Sequence, residues 1–133
     1  MKHLEDNFHK QIAQYLNILD NQKYFGKNGF WSYCPFGEKR NAITGALLKA
    51  KGTKRGVPDF LILIRKNNIT KIIWLEAKIG KNKQSEEQID FENKTKEQIN
   101  EKYYIVYNLD NVINIISNGN NENNENNDNF NKI

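Results

Sequence analysis

The sequence predicts an α/β domain with a mixed central sheet flanked by helices, in the order α-β-(α)-β-β-α-β-(α). Three observations support this. Apolar residues recur at helical spacing near the N-terminus, and two apolar, β-branched runs separated by "KNN" occupy the middle. A strand, a helix and a strand then follow in succession, which implies a right-handed parallel crossover. At 133 residues the chain has the length of one domain with a modest core.

The first half of the chain predicts a helix, a strand and a second, short helix. Residues from Leu4 to Leu19 form the first helix, since Phe8, Ile12 and Leu16 recur every three or four positions. The glycines and asparagines of "DNQKYFGKNG" predict a loop, and "FWSYC" predicts a strand that ends at Pro35. Residues 42–51 are assigned to a short helix between two basic clusters.

The second half predicts a hairpin and a crossover. The hairpin strands are Phe60–Arg65 and Lys71–Ala77, and "SEEQ" has the form of a capping box that starts a helix running to about Asn100. "KYYIVYN" predicts a strand, and "LDNVINIIS" predicts a short helix or edge element from about Asp110. The domain is expected to span residues 1–117, and the Asn-rich residues 118–133 are expected to be a disordered tail.

Composition narrows the class of partner. The formal charge is +4, but the tail carries −2, so the folded part is more basic than the average and suggests an anionic partner such as nucleic acid. Simple solubility would explain the same charge. There is no apolar run of membrane-spanning length and no secretory h-region, so an intracellular protein, cytoplasmic or nuclear, is expected, without a membrane partner. Because Cys34 is the single cysteine, an internal disulfide is excluded and a zinc site is not expected. Cys34 is expected to be buried. His3 and His9 are expected on the surface of the first helix.

The hairpin predicts a register for its charged residues. With Asn67 and Asn68 at the turn, Asp59 falls opposite Glu76, with Cβ atoms roughly 4.5–5.5 Å apart. Alternation then puts Lys78 on the face of Glu76 and turns Ala77 away. Both hairpin faces are otherwise apolar, which predicts that both are covered. Two facing carboxylates repel, and a divalent cation would relieve this. Alternatively, Asp59 caps a turn after Pro58 and Glu76 forms a surface ion pair with Lys78.

The same residues carry a resemblance to a known family. Pro58-Asp59 and Glu76-Ala77-Lys78, with sixteen residues between the two acids, resemble the PD-(D/E)XK nuclease signature. The wider pattern of "CPFGEKR", "KGTKRGVPD", "WLEAK" and "SEEQ" is similar to the VRR-Nuc family of that superfamily, over about Leu4 to Ser117. The resemblance implies a restriction-endonuclease-like core and a DNA endonuclease that depends on Mg²⁺ or Mn²⁺.

The resemblance also implies roles for individual residues. Asp59, Glu76 and the Ala77 carbonyl would be metal ligands, and Lys78 would be the catalytic lysine. Glu5 matches a first-helix acid of the family, although an acid in a first turn can equally serve the helix dipole. Gln88 matches a glutamine near the active site, although its place in the capping box would explain it without chemistry. The sequence departs from the family at Phe36, where many small members have Asn, and at Ala77, where others have Leu or Val.

The implied substrate is DNA held through its phosphates. The basic residues beside the motifs are interpreted as phosphate contacts, with a solvated basic loop as the alternative: Lys39, Arg40, Lys54 and Arg55. Because no base-reading module is evident, recognition of structure is expected. The substrate would be branched, flap or four-way junction DNA, as for a Holliday junction resolvase in repair or recombination, with a homodimer suggested. The alternatives are a non-catalytic nucleic-acid-binding module and a restriction-type endonuclease.

Overall fold

The computed structural model describes residues 2–37 and 41–118, which form a four-stranded mixed sheet flanked by helices. Its elements are α1 (Lys2–Asn21), β1 (Phe30–Tyr33), α2 (Ala42–Ala50), β2 (Phe60–Lys66), β3 (Ile69–Ala77), α3 (Glu86–Thr95), β4 (Glu101–Val106) and α4 (109–118). The predicted α/β class and element order are confirmed. The tail beyond residue 118 lies outside the described residues. Within the described ranges, no helix combines the length and the apolar character needed to cross a membrane.

The sheet has the strand order β1-β2-β3-β4. The first two pairings are antiparallel, whereas β3 and β4 are parallel and joined through α3. The predicted crossover is therefore present. It places the N-terminal end of α3 after the C-terminal end of β3, which is where Glu76 lies.

The hairpin of β2 and β3 has the predicted register. Phe60 pairs with Leu75 and Lys66 pairs with Ile69. The turn residues Asn67 and Asn68 have φ values of 54° and 62°, as a type I′ turn requires and as Asn tolerates better than most residues. Continued by one position, the same register sets Asp59 opposite Glu76.

The two faces of the sheet are covered unequally. On one face, the hairpin packs with α1 and α4 into a cluster whose buried members are Phe8, Ile12, Leu16, Leu19, Phe25, Phe60, Ile62, Ile64, Ile73, Leu75, Ala77, Val106, Val112 and Ile116. On the other face, Leu61, Leu63, Ile72 and Trp74 are only half-buried. There Trp74 meets Phe91 of α3, with ring centroids 4.9 Å apart. The expectation that both faces are covered thus holds fully for one of them.

Helix α3 ends earlier than predicted, at Thr95 rather than near Asn100. The Thr95 hydroxyl donates to the carbonyl of Glu92, and the Asn100 carbonyl accepts from the amide of Ile72 on β3. Asn100 therefore already pairs with the sheet and cannot continue the helix. The prediction of the helix end was wrong because this tertiary pairing outweighs the helical propensity of "KEQIN".

Candidate active site

Asp59 is held between two neighbouring strands at one end of the sheet. Its backbone carbonyl accepts a hydrogen bond from the amide of Cys34, just beyond β1, at 2.6 Å. Its side-chain Oδ2 accepts from the amide of Ala77 on β3 at 2.9 Å. The main chain of Asp59 is therefore held by the segment after β1, and its carboxylate by β3. Cys34 itself is half-buried, and burial, then the Asp59 charge, raises the pKa of its thiol.

Glu76 is a buried carboxylate with an unfilled acceptor. Glu76 is 3 % exposed, and its Oε2 is buried without a hydrogen-bond partner. Burial, followed by repulsion from Asp59, raises the pKa of Glu76 to about 7, although Lys78 and a hydrogen bond from the backbone of Asp59 oppose this shift. A cation or a proton at this carboxylate would remove the cost of burying its charge.

Lys78 and Gln88 form one network with Glu76. The ammonium Nζ of Lys78 donates to Oε1 of Gln88 at 2.9 Å and lies 3.5 Å from Oε1 of Glu76. The amide Nε2 of Gln88 donates to the same Glu76 oxygen at 2.8 Å. Gln88 also completes the predicted capping box. Its side-chain Oε1 accepts from the backbone amide of Ser85, and its backbone amide donates to the Ser85 hydroxyl. Gln88 therefore completes the helix cap and contacts Glu76 and Lys78 with the same side chain.

The double role of Gln88 predicts different results at Ser85 and Gln88. Ser85→Ala removes the cap alone and is expected to cost about 1 kcal/mol of unfolding free energy. Gln88→Ala is expected to cost more, because Lys78 and Glu76 also lose their shared partner. Thermal unfolding of both variants checks this; equal losses of stability in the two would contradict it.

Gly56 allows the loop before Asp59 to pass against the first turn of α3. It has a φ of +86°, and a Cβ atom at this position would lie 2.3 Å from the Glu87 carbonyl oxygen. A side chain is therefore excluded both by conformation and by space. This contact brings Gln88 beside the end of the sheet that carries Asp59.

His9 is a site residue that the sequence analysis missed. The expectation of a surface position was wrong, since the side chain is 13 % exposed and its Nε2 lies 3.4 Å from Oδ2 of Asp59. Its ring packs against Tyr33 and Phe60, with centroids 5.1 and 5.8 Å away. Burial alone would lower the pKa of His9, but Asp59, then Glu5 and Asp6, raise it above its ordinary value. Helical spacing could have indicated the partly buried position of His9. It precedes Ile12 and Leu16 by three and seven residues and so lies on the buried face of α1.

Glu5 lies one helical turn before His9 and is exposed. Its charge acts on His9, but among residues 2–37 and 41–118 no three His, Cys, Asp or Glu side chains gather closely enough to form a metal-binding group. The carboxylates of Asp59 and Glu76 remain the pair that could hold a cation. Such a pair suits Mg²⁺, which binds one or two protein carboxylates and fills its other positions with water and phosphate.

The predicted basic residues divide into two groups. Lys54 and Arg55 are exposed and line a groove that also contains Ser85 and Gln88. Lys39 and Arg40 lie outside the described residues. The four catalytic candidates (Asp59, Glu76, Lys78 and Gln88) lie together at one end of the sheet, and Lys54 and Arg55 lie beside them.

Comparisons of the chain with protein-family models, curated proteins and solved structures found no match in any of the three.

Proposed function

We propose that the protein is a metal-dependent DNA endonuclease with a PD-(D/E)XK core similar to that of the VRR-Nuc family. The observation that carries the proposal is the buried Glu76 beside Asp59, with an unpartnered Oε2 and a pKa raised to about 7. A carboxylate pair that serves only to stabilise the fold would gain nothing from this arrangement. A cation bound between the two carboxylates would offset the cost of burying their charges.

The proposed cofactor is Mg²⁺ or Mn²⁺, held by Asp59, Glu76 and the carbonyl of Ala77. The chemistry of the donors fits, since hard oxygen ligands suit these ions. When bound, such an ion polarises a phosphoryl oxygen and lowers the pKa of a coordinated water. The amide of Ala77 already fixes Asp59 for this purpose. Glu5 remains a proposed additional ligand.

The residues of the chain would orient the reacting groups. Gln88 restrains the ammonium group of Lys78 through its Oε1, so that the lysine stays next to Glu76. From there Lys78 can hold the attacking water or stabilise negative charge on the phosphate. Gln88 at the same time restrains Glu76 through its Nε2. The result would be hydrolysis of a phosphodiester bond by in-line attack.

We infer that the substrate is DNA recognised by structure rather than by base sequence. Lys54 and Arg55 are exposed next to the site and suit phosphate contacts, which position a nucleic acid without reading it. Branched, flap and four-way junction DNA are the candidate substrates, and a homodimer would suit a symmetric junction. The protein would then act in DNA repair or recombination.

Incubation of the purified chain with linear, flap and junction DNA, with Mg²⁺, Mn²⁺ or EDTA, tests the proposal. Cleavage is expected with either metal and none with EDTA. Asp59→Asn should abolish the cleavage, whereas the exposed Asp90→Asn on α3 should not. If wild type and Asp59→Asn bind DNA equally and neither cuts, the protein is a binding module and the nuclease proposal fails.

A further inference from the structure

A groove runs between α2 and the N-terminal end of α3, next to the candidate active site. Its volume is about 1070 Å³, and Ser85 and Gln88 belong to its lining. Gln88 also donates to Glu76 and accepts from Lys78. Whatever occupies this groove therefore lies one side chain away from the proposed catalytic groups.

The charged lining of the groove is mainly basic. Lys49 of α2 and the neighbouring Lys54 and Arg55 contribute three cations, and Glu87 contributes one acid. All four side chains are exposed. The excess of positive charge favours an anionic occupant, such as one that carries phosphates.

The apolar lining suits flat rings. Phe36 lines the groove and is 48 % exposed, so part of it is accessible to a ligand in the groove. Helix α2 is rich in Ala, Leu and Ile, yet it buries none of its residues. Its small residues Ala42, Gly45 and Ala46 form part of the groove wall and allow close approach. An aromatic side chain beside cations is the combination that binds unpaired nucleotides, since every base has an apolar face.

The size of the groove favours separate nucleotides over a duplex. Its volume is slightly above the roughly 300–1,000 Å³ typical of small-molecule pockets. The major groove of a double helix is by itself about 12 Å wide, so a complete duplex cannot enter a space of this size. A few unstacked nucleotides of one strand can.

We propose that this groove binds an unpaired DNA strand next to the cleaved bond, with Phe36 stacked on a base and Lys54 and Arg55 on its phosphates. The identity of the strand as substrate DNA rests on the proposed nuclease function. The groove would make the enzyme selective for substrates with a single-stranded arm, because an arm entering beside Gln88 leads its junction to Glu76 and Lys78.

Fluorescence anisotropy with a labelled thymidine oligonucleotide and a blunt duplex, both in EDTA, tests the groove apart from catalysis. Phe36→Ala is expected to weaken binding of the single strand on the order of tenfold, and Phe36→Tyr to retain it. Phe30→Ala is the matched control, since Phe30 is 51 % exposed on β1 and does not line the groove. Unchanged binding by Phe36→Ala, or an equal loss in Phe30→Ala, would overturn the proposal.

The basic residues give an independent arm of the experiment. The plot of log affinity for the single strand against log salt concentration has a negative slope. The double variant Lys54→Ala/Arg55→Ala is expected to make that slope shallower by about 1.4, at about 0.7 per lost phosphate contact. Lys94→Ala/Lys96→Ala removes the same charge at the far end of α3 and should leave the slope unchanged. Equal changes in both pairs would show a general charge effect and contradict the groove.

The outcomes separate this proposal from the proposed function. If metal-dependent cleavage occurs while Phe36→Ala binds the single strand and cuts flap DNA like wild type, the groove proposal fails and the nuclease stands. If binding depends on Phe36 but no DNA is cut with either metal, the nuclease proposal fails and the groove stands as a single-strand binding site.

Discussion

Lys78→Ala is expected to lower the rate of metal-dependent DNA cleavage on the order of 10²–10³-fold, the usual effect of removing one group that stabilises transition-state charge. The ammonium of Lys78 is held by Gln88 and lies 3.5 Å from Glu76, next to the proposed metal site. The variant should still bind metal, because Lys78 supplies no ligand. The measurement is single-turnover cleavage at saturating metal, together with a metal titration of the same variant.

Lys83→Ala supplies the control, because Lys83 is an exposed lysine in the segment between β3 and α3. Its cleavage rate should stay within a few fold of wild type. An active Lys78→Ala enzyme would remove Lys78 from the mechanism. A loss of similar size in both variants would point to a general effect of positive charge on DNA binding.

Glu76→Gln is expected to stabilise the metal-free protein near neutral pH and above, but not in acid. The folded-state pKa of Glu76 is raised from 4.5 to about 7, mainly by burial. Folding therefore favours the protonated form of Glu76. The stability that this form contributes is fully present below the unfolded pKa and is lost as the pH rises through about 7. At about pH 8 the ionised side chain costs up to about 3 kcal/mol, since one pKa unit corresponds to roughly 1.4 kcal/mol. Glutamine does not ionise and avoids this cost.

Urea unfolding at about pH 5 and pH 8, in EDTA, measures the effect. The stability difference between Glu76→Gln and wild type should grow with pH, whereas the exposed Glu97→Gln should track wild type at both values. A pH-independent difference would mean that Glu76 is ionised throughout and that its burial is compensated. Addition of Mg²⁺ at about pH 8 should stabilise wild type more than Glu76→Gln, because ligand binding stabilises the state that binds.

The parts of the site that the sequence predicted depend on local rules. A two-residue Asn67-Asn68 turn fixes the hairpin register, and the register alone places Asp59 opposite Glu76. The spacing of Ser85 and Gln88 likewise defines a capping box without knowledge of the fold. Turn geometry and capping operate over a few residues, so one sequence contains all that they need.

The parts that were missed depend on packing between distant segments. His9 reaches Asp59 because α1 packs across the sheet, and no spacing within α1 could state which acid it would meet. The contact of Gly56 with Glu87 likewise requires the loop and α3 to be in place, and it is this contact that turns a helix cap into a site residue. The groove beside α2 has the same origin, since three separate segments line it.

A divalent cation is expected to bind between Asp59 and Glu76, and direct titration with Mg²⁺ and Mn²⁺ tests this. Calorimetry or Mn²⁺ paramagnetic resonance at about pH 8 should show saturable binding to wild type. Asp59→Asn and Glu76→Gln should each weaken that binding by at least roughly tenfold, with Asp90→Asn unchanged. Binding of equal strength in all four proteins, or none in wild type, would contradict the account.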